Sequence, residues 1–437
     1  MSSSRDRDGR LTAAAREAIG EIARHLDIDA RVRLWDGSEI PLTATPSRPL
    51  VITIASPGVL ASLIKRPSLD RLIRHYAHGE VGLEGGTLID LGESLAGDGA
   101  GKRLKSLPRW KVARKLLPFL WVKPDAPGRS RAFAGDSAGH GRAQVANRDF
   151  IRFHYDVGND FYRLFLDEEM IYSCAYFTEW SNGIDQAQHD KLEMICRKLR
   201  LQPGERFLDI GSGWGGLLLH AAKHHGVRGH GITLSEAQLA IAKERIAAAG
   251  LADRVTVEIR DYADLDGTYD KIASIGMYEH IGLENIPKYM TAVRRVLAPD
   301  GLFLNHAISH RASPDGRRFG ARPEQKAVLK YIFPGGALDD IGHTVTAMEQ
   351  AGFEVHDVEA WRRHYAQTTK LWCERLTARR AEAEALVGPE TYRIWVAYLA
   401  GVSLAFSRGT LRIFQTLASR TAKRPSTLPP TRADLYR

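Results

Sequence analysis

Cysteine is scarce in this chain. Among 437 residues there are three, Cys174, Cys196 and Cys373, with no Cys-x-x-Cys pair. An odd, dispersed set argues against a disulfide framework and against a thiolate zinc site, and it suits a reducing compartment. Long apolar runs are missing too. No stretch approaches the roughly 20 apolar residues that span a bilayer, and the opening "MSSSRDRDGR" lacks the apolar core of a signal peptide. A cytoplasmic protein, neither secreted nor transmembrane, is expected. No internal repeat occurs, which excludes solenoid architectures. Acid is outnumbered: 61 Lys and Arg against 52 Asp and Glu give a net charge of +9 and a pI near 9.4. That excess favours an anionic partner, nucleic acid or an acidic membrane surface, and charge alone does not choose between them.

What is present describes a globular protein with room for two domains, at 44% hydrophobic and 26% charged residues. Residues 1–100 mix helix and strand signals. "TAAAREAIGEIARHL" places Ala15, Ile19, Ile22 and Leu26 on one helical stripe. "RVRLWDGSEIPLT" alternates around Asp36-Gly37 as a hairpin does, and "PLVITIAS" reads as a strand. Short helical patterns follow at "GVLASLIK" and "LDRLIRHYAHG", and "GEVGLEGGTLIDLG" reads as turn and strand. The reading is a small α+β domain without a catalytic constellation.

Residues 101–146 differ in kind. "KRLKSLPRWKVARKLLPFLWVK", 102–123, holds eight basic residues and no acid, interleaved with Trp110, Leu116, Leu117, Phe119, Leu120 and Trp121. That mixture suits the headgroup region of an anionic membrane; a basic helix packed on its own protein is the competing reading. "PDAPGRSRAFAGDSAGHGRAQ" then reads as a linker. From about residue 200, strand and helix patterns alternate, from "RFLDIG" through "GLFLNHAIS". The expectation is an α/β domain over 147–437 with a Rossmann-like, doubly wound, mostly parallel sheet and ligand at the carboxyl ends of its strands.

"LDIGSGWGG" places Gly211, Gly213 and Gly215 in the turn after the first of these strands, where backbone can approach a ligand closely. The same letters satisfy G-x-G-x-x-G, but the acid expected about twenty residues later falls in "GHGITLS", which has none. Nicotinamide loses support. Asp209 before the turn and Asp261 after the third strand suit S-adenosyl-L-methionine instead, with Asp209 fixing the loop or the amino-acid moiety and Asp261 the adenine amine. An ordinary strand-end turn residue is the competing reading of Asp261.

In order, "FHYDVGNDFYRLFLDEEMIYSCAYF", "LDIGSGWGG", "GITLSEAQ", "SIGMYEHIG", "LNHAIS", "YIFPGG" and "HYAQTTKLW" resemble the cyclopropane-fatty-acyl-phospholipid synthases and mycolic acid cyclopropane synthases. The likeness runs from about Phe153 to the C-terminus, and the first domain resembles, more loosely, the lipid-contacting domain of the phospholipid-acting enzymes. The resemblance implies cofactor contacts at Tyr172, Ser173, Gly211 and its neighbours, Thr233, Gln238, Asp261 and Tyr262. It implies a bicarbonate pocket at Cys174, Glu279, His306, Ile308 and Tyr365. Where many relatives carry a cysteine in the C-terminal helix, this chain has Val402.

The chemistry fits those residue types. Attack of a cis double bond on the methyl of a sulfonium leaves a carbocation, which aromatic faces stabilise without trapping; Tyr176, Phe177 and Tyr278 are candidates. A base must then take a proton from the new methyl. The implied product is a cyclopropane on a phospholipid acyl chain, with a methylene or methyl branch and small-molecule N-methylation as alternatives. Implied partners are a phospholipid membrane surface, contacted peripherally from the cytoplasmic side, and no nucleic acid; the oligomeric state stays open, a homodimer included. Read alone, Glu279 could cap a helix and His306 could be a core histidine. The pair His220 and His224 has metal-ligand spacing, but no glutamate lies beside the first histidine and no third ligand nearby, so no metal is expected.

Overall fold

The computed structural model describes residues 2–95, 106–126, 157–312, 338–421 and 428–436. The expected linker after residue 126 and the "YIFPGG" motif lie outside them. Two compact units divide the chain: residues 1–137 with Arg380–Leu404, and residues 138–379 with 405–437.

In the first unit, α1 (Ser2–Leu26) buries Ala15 and Ile19 of the expected stripe and leaves Ile22 and Leu26 partly buried, while Leu11, one turn before Ala15, is buried as well. Strands β1 (Arg31–Arg33) and β2 (Glu39–Pro41) form the expected hairpin, in which Gly37 takes φ +83°. With β3 (Val51–Ile54) and β4 (Val81–Glu84) they make a sheet ordered β2-β1-β3-β4. Helices α2 (Pro57–Lys65) and α3 (Leu69–Ala77) start at Ser56 and Ser68, whose hydroxyls accept the free N–H groups of Val59 and Arg71. "TLIDLG", expected as strand, is helix α4 (Leu88–Ser94): Thr87 and Asp90 form a reciprocal capping box, and that local pairing outweighs the β-branched Thr and Ile. The basic segment forms α5 (Arg109–Leu116) and a 3₁₀ turn, Leu117–Trp121.

The expected continuous range of 147–437 is interrupted. Residues Arg380–Leu404, most of a helix that runs to Ser407 and breaks at Gly388 (φ +80°) before Pro389, cluster with the first unit. The reason is close packing: a Cβ on Gly92 would lie 2.2 Å from Leu404 Cδ1, and Arg393 donates to the Tyr76 carbonyl at 3.5 Å.

The second unit is built on seven strands, β5 (Arg206–Ile210), β6 (Arg228–Thr233), β7 (Val255–Ile259), β8 (Tyr269–Ile275), β9 (Leu297–His310), β10 (Phe353–Ala360) and β11 (Leu411–Arg420). Their order is β10-β11-β9-β8-β5-β6-β7, with β11 antiparallel to both neighbours and the pairs from β9 to β7 parallel. After α6 (Asn159–Arg163), the main helices are α7 (Ile184–Leu199), α8 (Gly216–His225), α9 (Glu236–Ala248), α10 (Ile286–Val296), α11 (Ile341–Gln350) and α12 (Arg362–Ala378). Both faces of the sheet are covered. On one, Leu192, Ile195, Leu218 and Ile246 pack with Phe207 and Val257; on the other, Tyr289, Met290, Val293 and Met348 pack with Leu208, Ile272 and Phe303. Cutting one such large side chain to alanine costs about 2–5 kcal/mol. This is the expected Rossmann-like architecture, and its strand order reverses between β5 and β8. Such a switch point opens a crevice beyond the strand ends.

Candidate active site

A cleft opens at that switch point. Its walls include Tyr172, Ser173, Asp209, Gly211, Gly213, Thr233 and Gln238, joined by Lys191, Ser212, Met277 and His280. The chain makes this space with backbone. Gly211 and Gly213 take φ +83° and +55°, and a Cβ on Gly213 would meet nothing within 4 Å, so the room beside it is open to a ligand. Gly216 answers a different demand. A Cβ there would fall 2.4 Å from Ile171 Cδ1 and 2.8 Å from the Glu169 carbonyl, so its bareness lets α8 pack on the turn at 169–171.

That turn carries the opposite wall. Asp167 accepts from the N–H groups of Glu169 (2.9 Å) and Ile171 (3.0 Å) and so holds Met170 at φ +55°, an uncommon conformation for a residue with a side chain. Tyr172 and Ser173 follow directly. Lys191, buried on α7, donates to Ser173 Oγ at 3.0 Å; burial pulls its ammonium down to about 8 and pushes the Asp209 carboxyl up to about 7, each opposed by the other's charge. Across the cleft, Thr233 Oγ1 donates to Gln238 Oε1 at 2.9 Å, and Ser235 caps α9.

Three expected cofactor residues do not line the cleft. Gly215 (φ +83°) opens α8 against Ala242. Asp261 Oδ1 accepts the Ala263 N–H at 3.0 Å, capping a short turn, and Tyr262 packs its buried ring on Tyr289 at 5.1 Å.

A second cluster gathers four of the five residues expected around bicarbonate. The Ile308 N–H, past the last β8 pairing on β9, donates to Glu279 Oε1 at 3.4 Å. Glu279 Oε2 is buried without a partner, and burial lifts this carboxyl to about 7. His306, two residues before Ile308, sets its ring edge-on to Trp361 at 5.0 Å. The Trp361 carbonyl lies 3.8 Å from Cys174 Sγ, and the Cys174 thiol, whose ionisation burial pushes far up, also donates to the Ala175 carbonyl at 3.3 Å. Tyr365 is tied less directly. It sits one turn along α12 from Trp361, with its ring tilted against Phe406 at 4.7 Å. Tyr176 lies 4.8 Å from both Trp361 and His364; Phe177 stacks on Trp180; the buried Tyr278 hydroxyl donates to Asp339 at 2.9 Å.

The hydrogen bonds behind His306 define its protonation. Lys198, on α7, donates to Gln415 Oε1 at 2.8 Å. An ammonium has no acceptor, so the amide oxygen must face it and the amide NH₂ must face His306 Nδ1, 3.1 Å away. Nδ1 therefore accepts. Burial holds this imidazole neutral, far below its usual range, so the single ring proton sits on Nε2, which is buried and has no protein partner. A donor and a carboxyl, both buried and unspent, are what a small oxyanion requires.

Sequence reasoning missed Lys191, Lys198, Trp361 and Gln415. A signal was available for the lysines: both lie on the apolar face of α7 among Leu192, Ile195 and Leu199. Near His220 and His224 the linear chain offers no third metal ligand, whereas the fold brings Cys196 to His220 and His225.

With this geometry in place, comparison with known proteins is decisive. The family described as mycolic acid cyclopropane synthetase matches residues 143–416. The chain belongs to this family. It is 38% identical over 415 residues to a "Probable fatty acid methyltransferase" of Pseudomonas putida, covering 94% of this chain and 97% of the relative. It is 37% identical over 267 residues to the cyclopropane-fatty-acyl-phospholipid synthase of Escherichia coli K12, covering 61% of this chain and 66% of that enzyme. The crystal structure of mycolic acid cyclopropane synthase CmaA1 with SAH and CTAB superposes with a TM-score of 0.59 at 32% identity, covering 64% of this chain and all of that one. The enzyme is a methyltransferase dependent on S-adenosyl-L-methionine.

Proposed function

We propose that the enzyme transfers the methyl carbon of S-adenosyl-L-methionine to the cis double bond of an unsaturated phospholipid acyl chain and closes a cyclopropane. The observation that carries this is two buried atoms without a partner, Nε2 of His306 and Oε2 of Glu279, with the other Glu279 oxygen held by the N–H of Ile308, two residues along β9 from His306. The π electrons of the alkene form a bond to the methyl carbon as its bond to sulfur breaks, leaving a cation on the chain. Aromatic faces at Tyr176, Phe177 and Trp361 stabilise that charge. His306 and Glu279 fit a small oxyanion: the imidazole donates, and the carboxyl, lifted to about 7, exchanges a proton near neutral pH. Bicarbonate bound there would supply the base for the methyl proton. Cys174 is not a nucleophile in this reading, because an alkene offers a thiolate no electrophilic carbon.

A relative that matches nearly the whole chain is named a "Probable fatty acid methyltransferase", which favours a second reading: the cation is diverted to a methylene or methyl branch. Partnership with a peripheral membrane surface is supported by exposed Trp110, Leu117, Leu120 and Trp121 beside Arg109, Lys111, Arg114 and Lys115. Among the described residues no helix is long and apolar enough to cross a membrane.

The test is to incubate the enzyme with unsaturated phospholipid liposomes and methyl-labelled cofactor, then read the acyl chains by proton NMR. Labelled ring methylene upfield of ordinary chain protons is expected. Labelled vinylidene or branched methyl establishes the second reading, and label found only on an added amine sinks both.

A further inference from the structure

Away from the cleft, α7 and α8 bring together a set of donors that the transfer reaction does not use. Cys196, His220 and His225 each place a ligand atom within 4.8 Å of the others. Glu193, one turn before Cys196 on α7, adds a carboxylate: its Oε2 lies 3.3 Å from His220 Nε2 and 3.0 Å from His225 Nε2. Metal bonds of about 2.0–2.2 Å at tetrahedral angles put neighbouring oxygen and nitrogen ligands about 3.3 Å apart. Both imidazole edges to Glu193 are thus near that length already, whereas the ligand atoms of Cys196, His220 and His225, within 4.8 Å of one another, must draw closer on binding. Arg197 Nε holds the other oxygen, Glu193 Oε1, at 2.7 Å, which turns Oε2 toward the imidazoles as outer partners of metal ligands do.

We propose that Glu193, Cys196, His220 and His225 form a binding site for one divalent transition ion of the zinc class. Two nitrogens, one sulfur and one carboxylate oxygen make a borderline-soft set, which selects Zn²⁺ over Mg²⁺ or Ca²⁺. An ordinary ion pair would need one imidazole and no thiol; here two imidazole nitrogens converge on a single oxygen, and a buried sulfur lies within 4.8 Å of a ligand atom of each histidine. Entry lies on the half-exposed side formed by His225 and Glu193, whose side chains are 19% and 27% exposed. On binding, the Cys196 thiol releases its proton to solvent and the sulfur–metal bond replaces the S–H bond. The ion staples the last turns of α7 to the end of α8, the helix whose other end carries the Gly213–Gly215 turn of the cleft.

Tag-free full-length enzyme, stripped by chelator, is titrated with Co²⁺ and then Zn²⁺. The expected result is one Co²⁺ per chain with thiolate charge-transfer absorption in the near ultraviolet and the strong visible bands of a tetrahedral site, all erased by one equivalent of Zn²⁺. Cys196→Ser removes the charge-transfer band. His225→Gln, a change on the solvent side that leaves the core intact, weakens binding more than about 10-fold, while methyl transfer persists. A pale spectrum without the thiolate band overturns the proposal, as does an unchanged signature in His225→Gln.

Discussion

Replacing Gln415 with leucine removes a side chain that lies outside the cofactor cleft, keeps its approximate volume, and strips His306 of the partner that makes Nδ1 an acceptor. Gln415 and His306 face each other across the β11–β9 pairing, so the amide is aimed by strand register. Without it Nδ1 is a buried acceptor with nothing to accept, and the proton gains no advantage in staying on Nε2. An unpaired buried polar group costs about 1–3 kcal/mol. Taken entirely from the catalytic orientation, at about 1.4 kcal/mol per tenfold, this lowers kcat about 5- to 150-fold. The assay is transfer of labelled methyl to liposomal acyl chains across a range of bicarbonate concentrations, beside calorimetric titration of the cofactor. Cofactor affinity stays at the parent value, whereas the rate falls and more bicarbonate is needed to approach its plateau. A purely structural role for Gln415 would lower cofactor binding and activity together. An unchanged kcat refutes the reasoning; so does a ¹⁵N spectrum of the unmodified enzyme that puts the ring proton of His306 on Nδ1.

Two further outcomes follow from the same geometry. Glu279→Gln abolishes turnover beyond rescue by bicarbonate and leaves cofactor binding intact; surviving activity would show the assigned role to be wrong. Its effect on stability has the opposite sign. A carboxyl with an ordinary value of 4.5 unfolded and about 7 folded makes the folded state bind more protons across that interval, so stability falls as pH rises from 4.5 to 7. The cost reaches roughly 3 kcal/mol above pH 7, and urea unfolding at pH 8 finds the Gln variant more stable than the parent by up to that amount. At the other unit, replacing both Trp110 and Trp121, 65% and 75% exposed, with alanine lowers co-sedimentation with anionic vesicles while leaving the fold intact; unchanged sedimentation removes this segment from the membrane argument.

Much of the second unit could be read in the sequence because its signals are local. A buried strand ending in a glycine turn, then a helix, is written in consecutive residues at 206–225, and Gly211 and Gly213 behave as that pattern requires. His306 drew its reading from resemblance, since a histidine at the end of an apolar strand has no distinguishing neighbour in the linear chain. Gln415 shows why. It is 109 residues from His306, in "LRIFQTLASR", and acquires meaning only when the antiparallel strand slides in beside β9. The clustering of Arg380–Leu404 with the first unit is hidden for a related reason: its contacts are remote in sequence, Leu404 against Gly92 and Arg393 against the Tyr76 carbonyl, the last pair 317 residues apart.

The two clusters of the second unit share one supporting element. From helix α7, Lys191 reaches Ser173 on the cofactor wall and Lys198 reaches Gln415 behind His306. Seven residues separate the two lysines, which places both on the same helical face, two turns apart. Each is a buried cation whose desolvation is costly and is repaid only by fixed acceptors. Such a helix resists small rotations, because turning it would leave both ammonium groups unpaired at once. The same rigidity therefore positions both the Ser173 wall of the cleft and the Gln415 amide behind His306, and on the proposed function the spacing of methyl donor and base would be set by one helix rather than by two independent loops.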